Sequence, residues 1–260
     1  MKIPLIFDII RSSLVDGPGV RTTVFFKGCN LRCRWCHNPE GQLPQSQPAF
    51  FAEKCVFCGA CGKVCDGNEE CSLCGKCVRV CKTAARRIYG VKMTPSEILQ
   101  TVKKDRLFYD ATGGGVTFSG GECMLYPEFL AECASLCRKE GINVAVDTAG
   151  CVDYRDFEKV MPYVDVFLYD IKCITPEIHE KFTGQRNELI LCNFEKLLSA
   201  GVQVIVRVPM IDGFNSGDEF EKIKKYLSDK NVKTEFLPYH EMGESKKSAL
   251  KSFKFFRKKG

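Results

Sequence analysis

The sequence predicts an α/β protein: a mostly parallel sheet flanked by helices, interrupted near its start by a small cysteine-rich insert. Three observations lead there. Beyond Met93, short strand-like runs alternate with helical stretches, the order that builds βαβ units. Runs such as Val204-Ile205-Val206 are apolar on both faces, as buried parallel strands are. Eleven of the 17 cysteines lie between Cys29 and Cys81, eight of them within Cys55–Cys81. A chain of 260 residues can bury a large core without disulfides, and an odd cysteine count cannot pair completely, so the local density points to metal ligation. About six strands are expected. Pattern leaves two architectures open, a doubly wound sheet and an incomplete (β/α) barrel.

Taken in order, Thr22–Lys27 reads as a strand that ends at Gly28 and the first cysteines. Gly41–Pro48, rich in Pro, Gln and Ser, reads as a linker. Residues 49–89 are expected to form the insert, and residues 1–48 with 90–260 the α/β body. Thr94-Pro95-Ser96-Glu97 is a helix start, followed by Ile98, Leu99 and Val102 at helical spacing. Val116–Ser119 is a strand opening into Gly120-Gly121-Glu122, and Pro127–Lys139 a helix. Asn143–Asp147 (strand), Tyr154–Met161 (helix), Val164–Tyr169 (strand) and Asn187–Ala200 (helix) follow, then Val202–Val208, Asp218–Leu227 and Lys233–Leu237 as strand, helix and strand.

The net charge of +6 comes from the end of the chain: Ser245–Gly260 holds seven basic residues and no acid, and the body without it carries −1. This argues against a basic nucleic-acid groove, and the tail is expected to be a solvated, frayed terminus. No apolar run approaches the ~18 residues that cross a bilayer, and the N-terminus resembles no secretory leader. A reducing, cytoplasmic compartment is expected.

Cys29, Cys33 and Cys36 spell C-x-x-x-C-x-x-C just past a strand. Three thiolates on one loop can hold three irons of a 4Fe–4S cube and leave the fourth iron open for chemistry. A zinc loop completed by His37 is the alternative that spacing leaves open. In the insert, Cys55, Cys58, Cys61 and Cys65 make C-x-x-C-x-x-C-x-x-x-C, and Cys71, Cys74, Cys77 and Cys81 repeat it. This is the two-cluster ferredoxin run, in which each fourth cysteine serves the other cluster. Cys55, Cys58, Cys61 and Cys81 are therefore assigned to one cluster, and Cys71, Cys74, Cys77 and Cys65 to the second. Asp66 and Lys82 stand where proline usually follows the fourth cysteine. The remaining six cysteines show no ligand spacing and are expected to be buried small hydrophobes.

Asp16-Gly17-Pro18-Gly19-Val20-Arg21-Thr22, Trp35-Cys36-His37-Asn38-Pro39-Glu40, Ser119-Gly120-Gly121-Glu122, Asp147-Thr148-Ala149-Gly150, Tyr169-Asp170-Ile171-Lys172 and Leu237-Pro238-Tyr239-His240 occur in that order. Together with the three-cysteine loop, this series resembles the glycyl-radical enzyme activating enzymes of the radical S-adenosylmethionine superfamily, over about residues 6 to 250. The insert resembles the subgroup that carries two extra clusters. The resemblance implies a partial (β/α)6 barrel with its site at the C-terminal strand ends, where the motifs are expected to lie.

It further implies that the cluster on Cys29, Cys33 and Cys36 binds the amino and carboxylate groups of S-adenosylmethionine. Reductive cleavage then gives methionine and a 5′-deoxyadenosyl radical, which takes a hydrogen atom from a glycine of a partner glycyl-radical enzyme. Gly120, Gly121 and Glu122 are expected at the methionine end, and Trp35 and His37 on the adenine side. Asp147, Thr148, Asp170, Ile171 and Lys172 are expected around the cofactor and a monovalent cation, with Arg207 and His240 as further contacts. Asp16 is a candidate for holding the partner's glycine loop. The resemblance also implies two auxiliary clusters, a low-potential donor such as flavodoxin or ferredoxin, a monomer, and no nucleic-acid or membrane partner. Cys123, Asp212 and the missing tyrosine after Lys246 depart from the family pattern, and the C-terminal extension of insert-bearing relatives is expected to be shortened. An electron-transfer protein, a ferredoxin domain on an α/β scaffold, is the rival reading; it leaves the three-cysteine loop without a task.

Overall fold

In the computed structural model, residues 2–65, 71–239 and 241–252 are described. The chain opens with strands β1 (Leu5–Ser13), β2 (Arg21–Phe26) and β3 (Gln47–Phe50). The cysteine-rich stretch then supplies two short helices, α1 (Ala60–Val64) and α2 (Lys76–Arg79). It returns through β4 (Arg86–Tyr89), which pairs antiparallel with β3, and through β5 (Val91–Lys92). The alternating part follows: α3 (Pro95–Val102), α4 (Arg106–Thr112), β6 (Gly115–Gly120), α5 (Pro127–Lys139), β7 (Asn143–Thr148), α6 (Tyr154–Val160) and β8 (Val166–Asp170). It ends with α7 (Pro176–Thr183), α8 (Glu188–Ser199), β9 (Val204–Met210), α9 (Asp218–Ser228), β10 (Lys233–Pro238) and α10 (Met242–Ser252).

The main sheet has eight strands in the order β10-β9-β8-β7-β6-β2-β1-β5. The six from β2 to β10 are parallel, while β1 and β5 are antiparallel additions at one edge. Each parallel strand lies beside its predecessor, so strand order never reverses. A doubly wound sheet reverses its order to send helices to both faces. A monotonic order with right-handed crossovers keeps them on one, and the doubly wound alternative is excluded.

The two faces differ accordingly. Phe26, Phe118, Val146, Phe167 and Val206 point to the helices and form the large apolar core with Phe129, Phe157 and Phe194. The alternate residues make a different surface. Ala145, Val166, Leu168 and Ile205 form a small apolar cluster. Around it the same strand positions carry Arg21, Thr23, Thr117, Ser119, Asp147, Asp170 and Arg207. One face of the sheet is thus apolar and covered by helices, and the other is largely polar.

Local signals read from the sequence account for the helices. Thr94 and Glu97 close a capping box at α3: Glu97 N donates to Thr94 Oγ1 at 3.3 Å, and Thr94 N donates to Glu97 Oε2 at 2.7 Å. α5 has the expected bounds and buries Phe129, Leu130, Cys133 and Cys137. Four expectations need correction. β1, absent from the expected strands, is a full strand whose two register irregularities and consecutive exposed residues Ile10, Arg11 and Ser12 mask its alternation. Gly41–Pro48 is no free linker, because Pro39–Gly41 is a buried 3-10 turn and Gln47–Phe50 is paired. Two of the six remaining cysteines are not buried: Cys192 is exposed and Cys151 half-buried. The basic tail is not frayed from Ser245, because α10 runs to Ser252 and buries Ala249 against Phe7, Phe25, Ala49, Phe51 and Tyr89; residues 253–260 lie outside the described part. Among the described residues, no helix is long and apolar enough to cross a membrane.

Candidate active site

The three-cysteine loop leaves β2 at its C-terminal end and is held from three sides. From the sheet, Gly121 N donates to Phe26 O and Glu122 N to Gly28 O, each at 2.8 Å. A Cβ on Gly121 would lie 2.4 Å from the carbonyl oxygens of both Gly28 and Gly41, so only glycine lets strand end and loop meet. The backbone that Gly121 admits is thus the loop's own. From α7, whose last carbonyls lack intrahelical donors, Thr183 O and Phe182 O accept from Arg32 N and Arg34 N at 2.6 and 3.1 Å. From α10, Lys247 Nζ donates to Arg34 O at 2.7 Å, and Lys246 reaches residues 37–40.

The thiols share one electrostatic environment. Burial pushes Cys29 up to about 12, with Glu122 and the other two cysteines adding to it. Burial likewise raises Cys33 to about 11, against the pull of Lys172, and raises Cys36. Leu31 N donates to Cys29 Sγ at 3.4 Å, a contact that favours a thiolate. Among the described residues, no three His, Cys, Asp or Glu side chains converge on one point closely enough for a single metal ion. Three thiols on one loop, one already accepting from a backbone amide, are a donor set that fits three corners of a 4Fe–4S cube.

Beside the loop, Glu122 is 1% exposed and its carboxylate accepts three hydrogen bonds. Thr148 Oγ1 donates to it at 2.8 Å, Ala149 N at 2.9 Å and Met124 N at 3.0 Å. Burial nevertheless pushes Glu122 up to about 7. Asp147 accepts from Ser119 Oγ at 2.6 Å, and burial raises it to about 6 although Arg207 pulls the other way. Arg207 Nη1 stands 3.7 Å from Asp147 and its Nε 3.6 Å from Glu235, while its Nη2 donates to Val15 O. Lys172 Nζ lies 2.5 Å from Asp170 Oδ2. Burial works against that ammonium, but Asp170, Cys33 and Asp147 outweigh it and hold its pKa above the ordinary value. Asn215, fully buried, donates to Lys172 O at 2.8 Å and ties this strand end to the turn after β9.

Other expected residues lie at varied distances from this group. Trp35 packs on Phe214 at 4.2 Å between ring centres, and His37 stacks on Tyr239 at 5.7 Å. Ile171 is buried in the helix-side core, its amide donating to Arg207 O. Asp16 is not at a C-terminal strand end, as the motif series led one to expect. It sits in the loop between β1 and β2, which folds over the polar face. There it accepts from Ser13 Oγ at 2.6 Å and Thr23 Oγ1 at 2.8 Å. His240 lies outside the described residues.

Sequence reasoning missed Ser119, Asn215 and Lys246, and also Asn30, whose amide donates to Cys151 O at 2.5 Å. Ser119 stood in the Ser-Gly-Gly-Glu motif and Lys246 in the basic run, but neither was given a role.

In the insert, the two cysteine repeats fold alike. Phe57 and Leu73, third in each C-x-x-C, have φ of 52° and 55°, and Gly59 and Gly75 both have φ of 71°. Phe57 N donates to Cys55 Sγ at 3.4 Å, as Leu31 does to Cys29. Cys55, Cys58, Cys61 and Cys81 line one cavity of about 90 Å³. Burial raises Cys77, and its neighbours in charge include Cys71, Cys65 and Cys74.

A one-sided α/β sheet with three thiols over its C-terminal end and a polar open face defines a class: a scaffold for an open iron–sulfur site and a small charged cofactor. Residues 23–227 match the Radical SAM superfamily. The chain is 42% identical over 268 residues to the choline trimethylamine-lyase activating enzyme of Oleidesulfovibrio alaskensis, covering 95% of this chain and 86% of that protein. It is also 42% identical to the trans-4-hydroxy-L-proline dehydratase activating enzyme of Clostridioides difficile, covering 94% and 86%. Streptococcus suis SuiB bound to its precursor peptide SuiA shares the fold at a TM-score of 0.52, with 11% identity over 82% of this chain and 37% of that one. The chain therefore belongs to the radical SAM superfamily and, within it, to the glycyl-radical enzyme activating enzymes. Such enzymes use a 4Fe–4S cluster and S-adenosylmethionine to generate a 5′-deoxyadenosyl radical that activates a partner enzyme.

Proposed function

We propose that Cys29, Cys33 and Cys36 hold the cluster and that S-adenosylmethionine lies against the concave face of a partial (β/α)6 barrel made by the six parallel strands. The observation that carries this is the seating of the three-thiol loop on Gly121 and Glu122, at the C-terminal end of β6. When bound, the cluster supplies the electron that breaks a carbon–sulfur bond of the cofactor.

The chain's own residues bind, orient and exclude water. Glu122, at the end of β6, faces the loop and would meet the cofactor's ammonium, while Gly120 and Gly121 keep the strand end close to the loop. Lys172 can meet a carboxylate, Asp147, Thr148 and Asp170 offer oxygens to the cofactor and to a monovalent cation, and Arg207 is a further contact. Trp35 and His37 are proposed on the adenine side and His240 as a further cofactor contact, with Ile171 acting through its backbone. Asp16, next to the exposed Leu14 and Val15, is proposed to hold the partner's glycine loop.

Residues 49–89 are proposed to form a ferredoxin-like insert with two auxiliary 4Fe–4S clusters. One would use Cys55, Cys58, Cys61 and Cys81, and the other Cys65, Cys71, Cys74 and Cys77. Support comes from the matching backbone of the two repeats, the cavity lined by the first four cysteines, and the grouping of the other four around Cys77. A flavodoxin or ferredoxin donor, a monomeric state and a reducing cytoplasm belong to the same proposal. The partner is a glycyl-radical enzyme. Choline trimethylamine-lyase and trans-4-hydroxy-L-proline dehydratase, the partners named for two relatives, are the first to test.

The test is anaerobic reconstitution, addition of S-adenosylmethionine and a chemical reductant, and assay of 5′-deoxyadenosine, followed by electron paramagnetic resonance of each partner. Product together with a glycyl radical on one partner supports the reading. Iron in the insert without 5′-deoxyadenosine sinks it.

A further inference from the structure

The C-terminal helix makes a contact that neither the family motifs nor the relatives' names assign. Lys246 Nζ lies 2.9 Å from Glu40 Oε1, 3.1 Å from His37 O and 3.0 Å from Asn38 Oδ1. An ammonium has three protons, and here three acceptors face it. All three belong to the arm that immediately follows Cys36. Glu40 is only 2% exposed, and its second oxygen is buried without a hydrogen bond. Lys27 also lies near it, and Lys27 bonds the Glu40 backbone carbonyl.

The helix is itself fixed at both ends. A Cβ on Gly243 would lie 2.4 Å from Cys36 O, so the first turn of α10 rests directly on the backbone of a thiol residue. At the other end Ala249 is buried among aromatic rings at the base of the insert. Lys246 thus projects from a docked helix, and the order of its three bonds is passed to the arm.

We propose that Lys246 is a positioning residue: it holds residues 37–40 in one conformation, so that Cys36 and His37 meet cluster and cofactor in a preset geometry. This rests on the reading that Cys29, Cys33 and Cys36 carry the cluster. A plainer role is to neutralise a buried Glu40 carboxylate, since a stranded buried charge is strongly destabilising. The two roles separate experimentally. Replacing Glu40 by glutamine removes the charge but restores none of the bonds that Lys246 makes to His37 and Asn38.

The test uses the reconstituted holoenzyme and compares wild type, Lys246→Met, Lys246→Arg and the double variant Glu40→Gln/Lys246→Met. Hydrogen exchange is read at the amides of Gly41 and Gln42, which bond to Asn38 O and Pro39 O. The KM and kcat for S-adenosylmethionine cleavage are measured in parallel. Lys246→Met is expected to speed exchange at both amides about tenfold, the loss of roughly one charged hydrogen bond, and to raise KM by a larger factor than it lowers kcat. Lys246→Arg should restore most of the protection, and the double variant should stay fast. Exchange at the wild-type rate in Lys246→Met, or full rescue in the double variant, overturns the proposal. Failure of the underlying reading looks different: wild type itself would show no change in its cluster resonance when S-adenosylmethionine is added.

Discussion

Glu122 shows what burial does to one carboxylate in this site. It is raised from 4.5 to about 7 by desolvation, in spite of three donors. Between those two values the folded chain binds a proton that the unfolded chain has lost, so stability falls as pH rises from 4.5 toward 7 and is level above it. Asp147, raised from 3.8 to about 6, adds a slope of the same sign. In protein free of S-adenosylmethionine, urea midpoints should drop between pH 5 and pH 7.5. Glu122→Gln should remove much of that drop, on the order of 2–3 kcal/mol; an unchanged slope in the variant would show that Glu122 is not the titrating group. A second expectation concerns Gly121. With two carbonyl oxygens 2.4 Å from any added Cβ, Gly121→Ala must push the thiol loop off the sheet. A cost of about 1–3 kcal/mol in stability and loss of site iron should follow, read by thermal melting and iron analysis. At this scale the sequence named Glu122, Asp147, Thr148, Lys172 and Arg207 through recognisable motifs. It gave no role to Ser119, Asn215 or Lys246, whose partners are 28, 43 and 206 to 209 residues away in the chain. Their residue types are too common to stand out without those partners.

Among elements, helices announced themselves where a cap and an apolar stripe coincided, as at Thr94 for α3 and Pro127 for α5. α10 did not, because its contribution to the core is chiefly Ala249 and its lysines read as solvated charge. β1 was hidden for a related reason: β5 pairs only with its first two residues, and a strand carrying Asp8, Arg11 and two serines beyond them lacks the apolar alternation of a covered one. The insert was the reverse case. Its cysteine spacing was legible while its backbone was not, since nothing local marks Phe57 and Leu73 for positive φ. The crossed assignment of fourth cysteines makes a sharp prediction here. Cys65→Ala/Cys77→Ala places both changes in one quartet and should remove about four irons. Cys61→Ala/Cys65→Ala places them in different quartets, though the residues are closer in sequence, and should remove about eight. Iron and sulfide analysis after reconstitution distinguishes them, and equal losses from the two pairs would refute the crossing.

For the molecule as a whole, the strand order settles what hydrophobic pattern could not. Pattern reports which residues are buried, whereas the choice between one-sided and two-sided winding lies in where each crossover lands. The same topology makes the insert separable. It enters and leaves through β3 and β4, which pair with each other and not with the main sheet, and at its base Phe51 N donates to Ala85 O at 2.7 Å. Phe51 and Ala85 therefore already stand where the ends of a tight hairpin would. Residues 52–84 can be replaced by Asn-Gly while Phe50, Phe51, Ala85 and the bed of α10 are kept. The body should fold, because its apolar core draws on none of the deleted residues. The shortened protein should load about four irons and, with a chemical reductant, still cleave S-adenosylmethionine. If cleavage survives dithionite but not a protein donor, the insert carries electrons. If the shortened chain folds and loads its cluster but cleaves nothing with either reductant, the insert shapes the site itself, and the division of the chain into body and insert fails as a functional one.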